Sequence, residues 1–293
     1  MRVTATGSTA QSIAAVQNAA SRLASLQNQL SSGKRITTSS DDPDGTVVAL
    51  GLRSSLARSG QYAETSGDAL AWLSTADSAY SQSVSVLQSA RTLVVQALNT
   101  GANDATANEA IAAQLDGLRQ TLLSVANTTY NGRPVFGGAT ASAVAYDASG
   151  TYVGDAGSVT RQVAARASVD VGATGTDVFG SGTDDVFATL TDLAAALRTS
   201  PSTLAPSALS RLDSAIQRVG VAQASAGSAY QQVQRLATSR TTSDAAVTAR
   251  LADIEQIDFA DIAVKTASAQ TAYQAALQTT AQVSRVSLLD FLR

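Results

Sequence analysis

Residues 69–98, ALAWLSTADSAYSQSVSVLQSARTLVVQAL, decide the fold. Within them Ala69, Leu73, Ala76, Tyr80, Ser83, Leu87, Ala90, Val94 and Ala97 recur at alternating spacings of four and three. That 3.5-residue period, kept over about four heptads, predicts a long helix of coiled-coil type from about Gln61 to Leu98. Downstream, Gly101 ends the helix and Asn103 or Asp104 caps another, whose seam is Ile111, Leu115, Leu118, Leu122 and Val125. Upstream, Ile13, Val16, Ala20, Leu23, Gln27 and Leu30 carry the same spacing from about residue 8 to Leu30. Ser31, Ser32 and Gly33 stop that helix, because glycine accepts the left-handed turn just past a helix end. Asp41, Asp42 and Pro43 start the next, with Asp42 placed to accept from free helix N–H groups and Pro43 suited to the first turn. Val48, Leu52 and Leu56 then line one face.

The pattern changes at Tyr130. Asn131-Gly132 signals a tight hairpin turn, and residues 132–182 hold ten of the chain's 20 glycines. Short runs at 144–146, 152–153, 159–163 and 168–171 have strand composition, predicting a small inserted β region. Helical spacing returns with Val186, Leu190, Leu193 and Leu197, and Pro201 and Pro206 precede a longer element. Its seam runs Leu209, Leu212, Ile216, Val219, Gln223, Ala226, Tyr230, Val233, Ala237, Arg240, Asp244, Val247, Leu251 and Ile254, interrupted in propensity by Gly220 and Gly227. Residues 258–293 form a last helix with a weak Ala, Thr and Gln stripe through Ile262, Ala269, Tyr273, Ala276 and Val283. The expected fold is mainly α: a long coiled-coil-like bundle built by the N- and C-terminal halves around a small β insert. We divide it into a terminal assembly domain (1–38 with 257–293), a helical rod with a β-hairpin (39–135 with 184–256) and the insert (136–183). The two terminal helices, about 45 Å long at 1.5 Å per residue, should pair with each other.

Composition removes most chemistry. The 293 residues contain no His and no Cys, and the one Met is Met1, so imidazole and thiolate metal ligands are missing, as are Ser/His/Asp and Cys/His catalysis. We expect no cofactor, no metal and no catalytic residues. Adjacent Asp184 and Asp185 are the best carboxylate pair for a glycan hydrolase, but neighbours in sequence oppose each other poorly and capping explains them better. A net charge of -3 with no basic run argues against nucleic acid. No stretch approaches a membrane span, and MRVTATGSTA lacks the basic and apolar regions of a cleavable signal. The acidic run 41–44 fails as a calcium loop, since Pro43 and Leu52 occupy ligand positions. Gly33-Lys34-Arg35 lacks the upstream glycine and the hydroxyl of a phosphate loop, and Asn127-Thr128-Thr129 matches a glycosylation acceptor by a pattern too short to carry weight.

One stretch is more specific. LQNQLSSGKRITTSSDDPDGTVVALGLRSSL, residues 26–56, resembles the N-terminal signature of bacterial flagellins and their hook-associated relatives. Four features resemble the hook–filament junction branch of that superfamily: MRVT at the start, YNGRPVFGG at 130–138, TYVGDAGSVTRQV at 151–163, and the tail from Ile257 ending SLLDFLR. The tail departs from the family pattern in its Ala/Thr face over 266–282. The resemblance implies an inner tube of paired terminal helices, a rod of middle helices and an outer β insert. It implies a structural adaptor that joins the hook, through hook-associated protein 1, to the flagellin filament, self-assembling in a ring or axial array outside the cell. Export would run through the flagellar type III channel with a dedicated chaperone and without a cleavable signal. A filament-forming flagellin is the alternative. Assembly contacts are expected at Ile13, Val16, Leu23, Leu26, Leu30, Ile36, Val283, Leu288, Leu289 and Phe291, and the signature's helix caps at Gly33, Asp41, Asp42 and Pro43.

Overall fold

A computed structural model of the chain describes residues 2–99, 104–199 and 206–291, with side chains over 10–98, 104–199 and 209–282. Helices dominate in the order α1 (Arg2–Ser32), α2 (Pro43–Asn99), α3 (Ala105–Ala126), α4 (Gly175–Phe179), α5 (Val186–Thr199), α6 (Pro206–Glu255) and α7 (Phe259–Phe291). Between α3 and α4 lie two antiparallel strand pairs, β1 (Thr129–Tyr130) with β2 (Arg133–Pro134), and β3 (Thr160–Ala164) with β4 (Ala167–Asp170). The chain divides into two compact units, one of Met1–Arg58 with Ser243–Arg293 and one of Ser59–Thr242.

The second unit holds the hydrophobic core. Of the nine residues spaced along 69–97, Ala69, Leu73, Ala76, Tyr80, Ser83, Leu87, Ala90 and Val94 are buried and Ala97 is half-buried. They meet Ile111, Leu115, Leu122 and Val125 of α3, Leu190, Leu193 and Leu197 of α5, and Leu212, Val219 and Val233 of α6. The glycine-rich segment packs Phe136, Tyr146, Val163, Val169 and Phe179 into this same core. Small aliphatic seams alone would leave gaps, and a ring cluster fills them: Tyr80–Phe136 and Phe136–Phe179 at 5.3 Å, and Tyr146–Phe187 at 4.9 Å. Such pairs contribute about 0.5–1.5 kcal/mol each beyond their buried area. On the bundle's outside, Arg198 of α5 bonds Glu109 and Asp116 of α3, and Arg91 of α2 bonds Asp213 of α6 at 2.6 Å.

The tight turn is as expected: Asn131 and Gly132 take φ of +49° and +76°, pairing Tyr130 with Arg133. The runs at 159–163 and 168–171 become β3 and β4, whereas those at 144–146 and 152–153 yield only a single bridge between Tyr146 and Tyr152. The Asp147 carboxylate explains this, because it accepts from Ser149 and Thr151 N–H and curls the intervening backbone into a loop.

Several boundaries differ from the sequence reading. α1 starts at Arg2 instead of near residue 8. α2 is unbroken where two helices were expected, since Gly60 sits on an open face and the seams on both sides, through Leu56 and Ser66, outweigh its propensity cost. Near its start Leu52 and Leu56 turn inward as expected, but Ala49 is buried and Val48 is 48% exposed, so Ala49 takes the first inward place. α6 likewise runs straight through Gly220 and Gly227. Tyr230, expected in the core, is 36% exposed beside a groove bordered by Leu73, Asp77 and Gly227. Asp104 caps α3 through Thr106 N–H at 2.8 Å, while Gly101, Asn103 and Pro201 lie outside the described residues.

A Cβ added at Gly220 or Gly227 would meet nothing within 4 Å. Each Gly→Ala substitution is expected to stabilise the second unit by up to about 1 kcal/mol, read from the denaturant midpoint of Trp72 fluorescence. Trp72 is the chain's one tryptophan and is 1% exposed, so it reports that unit's unfolding.

Candidate assembly surface

The first unit is built around the pairing of α1 with α7. On α1 the inward line is Val16, Ala20, Leu23, Leu26 and Leu30, all half-buried; on α7 it is Ile262, Thr266, Ala269, Tyr273, Ala276 and Thr280. Thr280 Oγ1 donates to the Ser12 carbonyl at 3.4 Å. Of the two lines only Ile262 and Ala269 fall below one tenth exposure, at 8% and 9%. One helix covers only a narrow strip of its neighbour, so Ile13 is 47% exposed and Gln27, placed on the seam by spacing, faces outward while Leu26 takes its position. Val283, Leu288, Leu289 and Phe291 have side chains outside the described residues.

The signature segment ties the pair together at its other end. Gly33 ends α1 in the left-handed region, at φ +68°, with its N–H on the Gln29 carbonyl. The chain then lies against the α6–α7 connection: Arg35 N–H donates to the Glu255 carbonyl at 2.6 Å, and Ile257 N–H donates to the Gly33 carbonyl at 3.4 Å. The Arg35 guanidinium gives Nε and Nη2 to the Ile254 carbonyl, capping the end of α6, and Nη2 to Asp42 at 2.8 Å. Glu255 is 7% exposed and lies between Arg53 at 2.6 Å and Lys34 at 3.5 Å. Both cations are about half exposed, which keeps their heads in water while the carboxylate is shielded.

The acidic run is used by the chain itself. Asp42 Oδ1 accepts from Gly45 N–H at 2.8 Å at the start of α2, and Asp41 Oδ2 accepts from both N–H and hydroxyl of Thr37 and from Thr38 N–H. A side chain at Gly45 would collide with Asp42 and Ile36. Asn127 of the glycosylation pattern is also occupied, its Oδ1 taking Ala145 and Tyr146 N–H and its Nδ2 donating to the Tyr146 carbonyl. Asp185 caps α5 through Phe187 N–H at 2.8 Å, and the Asp184 backbone carbonyl accepts from the Arg218 guanidinium. Among the described residues no cluster of acidic side chains is arranged to hold a metal ion, and no helix is long and apolar enough to cross a membrane.

Sequence reasoning found Gly33, Asp41, Asp42 and Pro43 as the joint between α1 and α2, but missed its other half. Glu255, Arg53 and the exposed Val47 and Leu50 are brought beside it by the fold. The available signal for Glu255 was a carboxylate directly after Ile254, the end of the α6 seam.

The Thr38 N–H and the Thr37 hydroxyl and N–H hold Asp41 down to about 2, below its ordinary 3.8. A depressed carboxylate contributes to order above the ordinary value and loses that contribution as pH falls through the folded one. The Thr37 and Thr38 amide resonances should therefore titrate with a midpoint near 2 and the turn should open between about pH 4 and 2. In Asp41→Asn this transition should vanish.

Comparison with known proteins agrees with this geometry. Residues 4–141 match the bacterial flagellin N-terminal helical region and residues 209–292 the bacterial flagellin C-terminal helical region. Flagellar hook-associated protein 3 of Salmonella typhimurium is 34% identical over 167 residues, covering 56% of this chain and 52% of that protein, and the Escherichia coli K12 protein of the same name gives the same values. The chain thus spans about half the length of these curated relatives. Flagellin B of Helicobacter pylori is 34% identical over 117 residues, 40% of this chain and 23% of that one. Among solved structures, Bacillus cereus FlgL superposes with a TM-score of 0.60 at 21% identity, covering 68% of this chain and 97% of that one. Flagellar hook-associated protein-3 of Legionella pneumophila gives 0.61 at 14%, covering 69% and 98%. With both helical regions matched across more than half its length and the same helical fold in these structures, the chain belongs to the bacterial flagellin family.

Proposed function

We propose that this chain is a structural adaptor at the hook–filament junction of a bacterial flagellum, lying outside the cell and assembling through its terminal helices. The observation that carries the assembly reading is a long charge-free stretch in each helix of the α1–α7 pair. Residues 3–21 and 266–284 contain no Asp, Glu, Lys or Arg on any face. A helix pair that stays in water carries charge on its outer faces; this one has Ala, Ser, Thr and Gln there and a seam only half covered. Such a surface suits burial among neighbouring subunits. Ile13, Val16, Leu23, Leu26, Leu30 and Ile36, with the tail residues Val283, Leu288, Leu289 and Phe291, are the contacts we assign to it. In this reading 1–38 with 257–293 is the assembly domain, 39–135 with 184–256 the rod and 136–183 the outer insert.

The junction role in particular is supported by the two relatives named hook-associated protein 3. It implies contacts with other copies of itself, with hook-associated protein 1 and with flagellin, and export through the flagellar channel with a chaperone. Residual likeness to Flagellin B favours a second reading, a filament subunit. Electron microscopy of a strain lacking this protein, with an assay for flagellin in the medium, separates the two. A junction protein leaves intact hooks without filaments and abundant flagellin leaking as monomer. Hooks without filaments and without other flagellin released make this chain the filament, and normal filaments contradict both readings.

A further inference from the structure

The first unit leaves apolar side chains exposed in two separate places. One is the outer face of α2, where Val47 is 71% and Leu50 65% exposed. Leu50 borders a groove of ≈ 550 Å³ that Ile36, Ala49, Arg53 and Glu255 also line. The other is the flank of the α1–α7 pair, where Ile13 is 47% and Leu277 43% exposed. The Thr280–Ser12 bond brings these two stretches side by side.

The two places cannot meet within one chain. Phe259 lies beside Gly33, near the groove, and Leu277 is 18 residues further along the same straight element, about 27 Å away at 1.5 Å per residue. They are chemically suited to each other across two chains. Lys34, Arg53 and Glu255 already pair among themselves at the groove, and no charged residue stands within seven positions of Ile13 or Leu277. Covering the groove with that edge therefore strands no unpaired carboxylate or ammonium, whereas an edge bearing charge would pay for desolvation. The groove's hydroxyl lip, Thr37, Thr38, Ser39 and Thr46, meets an edge rich in Gln, Ser and Thr.

We propose that a second copy of this chain seats the Ile13–Leu277 edge of its α1–α7 pair against the Leu50 groove. The proposal rests on the self-assembly reading above and names the contact. Because the two patches differ, the contact is head-to-tail: each copy offers a groove to one neighbour and an edge to the next, which generates a ring or an axial array and not a closed pair.

The absence of cysteine makes the test direct. Leu50→Cys, Leu277→Cys and the double variant each replace the protein in its own flagellated cells, and isolated flagella are oxidised and run without reductant. A disulfide needs Cα atoms within about 7 Å. The proposal expects a ladder of linked oligomers in the double variant and in neither single one. Filaments that form without that ladder overturn it, as does linking by Leu50→Cys alone, which would mean that two grooves face each other. Should the double variant fail to assemble, purified Leu50→Cys and Leu277→Cys chains mixed under copper-phenanthroline read the same contact, and heterodimer no more abundant than either homodimer overturns the proposal. Failure of the junction reading shows separately, as normal filaments in the strain lacking the chain.

Discussion

The α1–α7 pair buries its own seams only in part. Each helix covers a strip of the other, and the remaining apolar and uncharged surface must find neighbours or stay in water. The α1–α7 pair is held in that condition: Val16, Leu23, Leu26 and Leu30 are half-buried where full burial of such side chains contributes about 1.5–3 kcal/mol each. The Ala, Ser and Thr that dominate both helices add little more. By contrast, residues 59–242 close four helices and a glycine-rich segment over Trp72, Tyr80, Phe136, Phe179 and Phe187, all at 1% exposure or less. Most of the chain's aromatic side chains lie in this second unit, whereas the first holds Phe259, Tyr273 and Phe291 among mostly small side chains.

The joint at one end of the α1–α7 pair explains how such a weak pair keeps its register. Arg35 caps α6 and holds Asp42, Glu255 joins Lys34 to Arg53, and backbone bonds run both ways between Gly33–Arg35 and Glu255–Ile257. Apart from Arg35–Asp42, these contacts join residues more than 200 apart in sequence, so they fix which face of α1 meets α7 without demanding a large apolar seam. Beyond this joint, residues 3–21 and 266–284 carry no charge, and that stretch is the physical basis of the assembly reading proposed above.

Much of this was legible from spacing. The seam through Ala69, Tyr80, Leu87 and Val94 is buried as its period requires, and the Asp42-Pro43 start and Asn131-Gly132 turn are local signals whose chemistry is complete within a few residues. What was not legible depends on distant partners. Gly220 and Gly227 counted against continuity because propensity is local, whereas helix continuity is decided by what packs on both sides. Val48 lost its inward place to Ala49, and Ile13 its seam position, because the width of a buried face depends on how many helices cover it. Glu255 gave no sign of its two cations, since nothing in the sequence brings residue 255 to residues 34 and 53.

Hydrogen exchange, measured on the purified chain and on assembled flagella, tests the dependence of α1 and α7 on neighbours most directly. In the free chain, amides over 10–30 and 262–282 should exchange far faster than those of α2 from Ala69 to Val94, and assembly should slow them. Equal protection of the two sets in the free chain would contradict the account, because it would mean that the α1–α7 pair is stable without any partner.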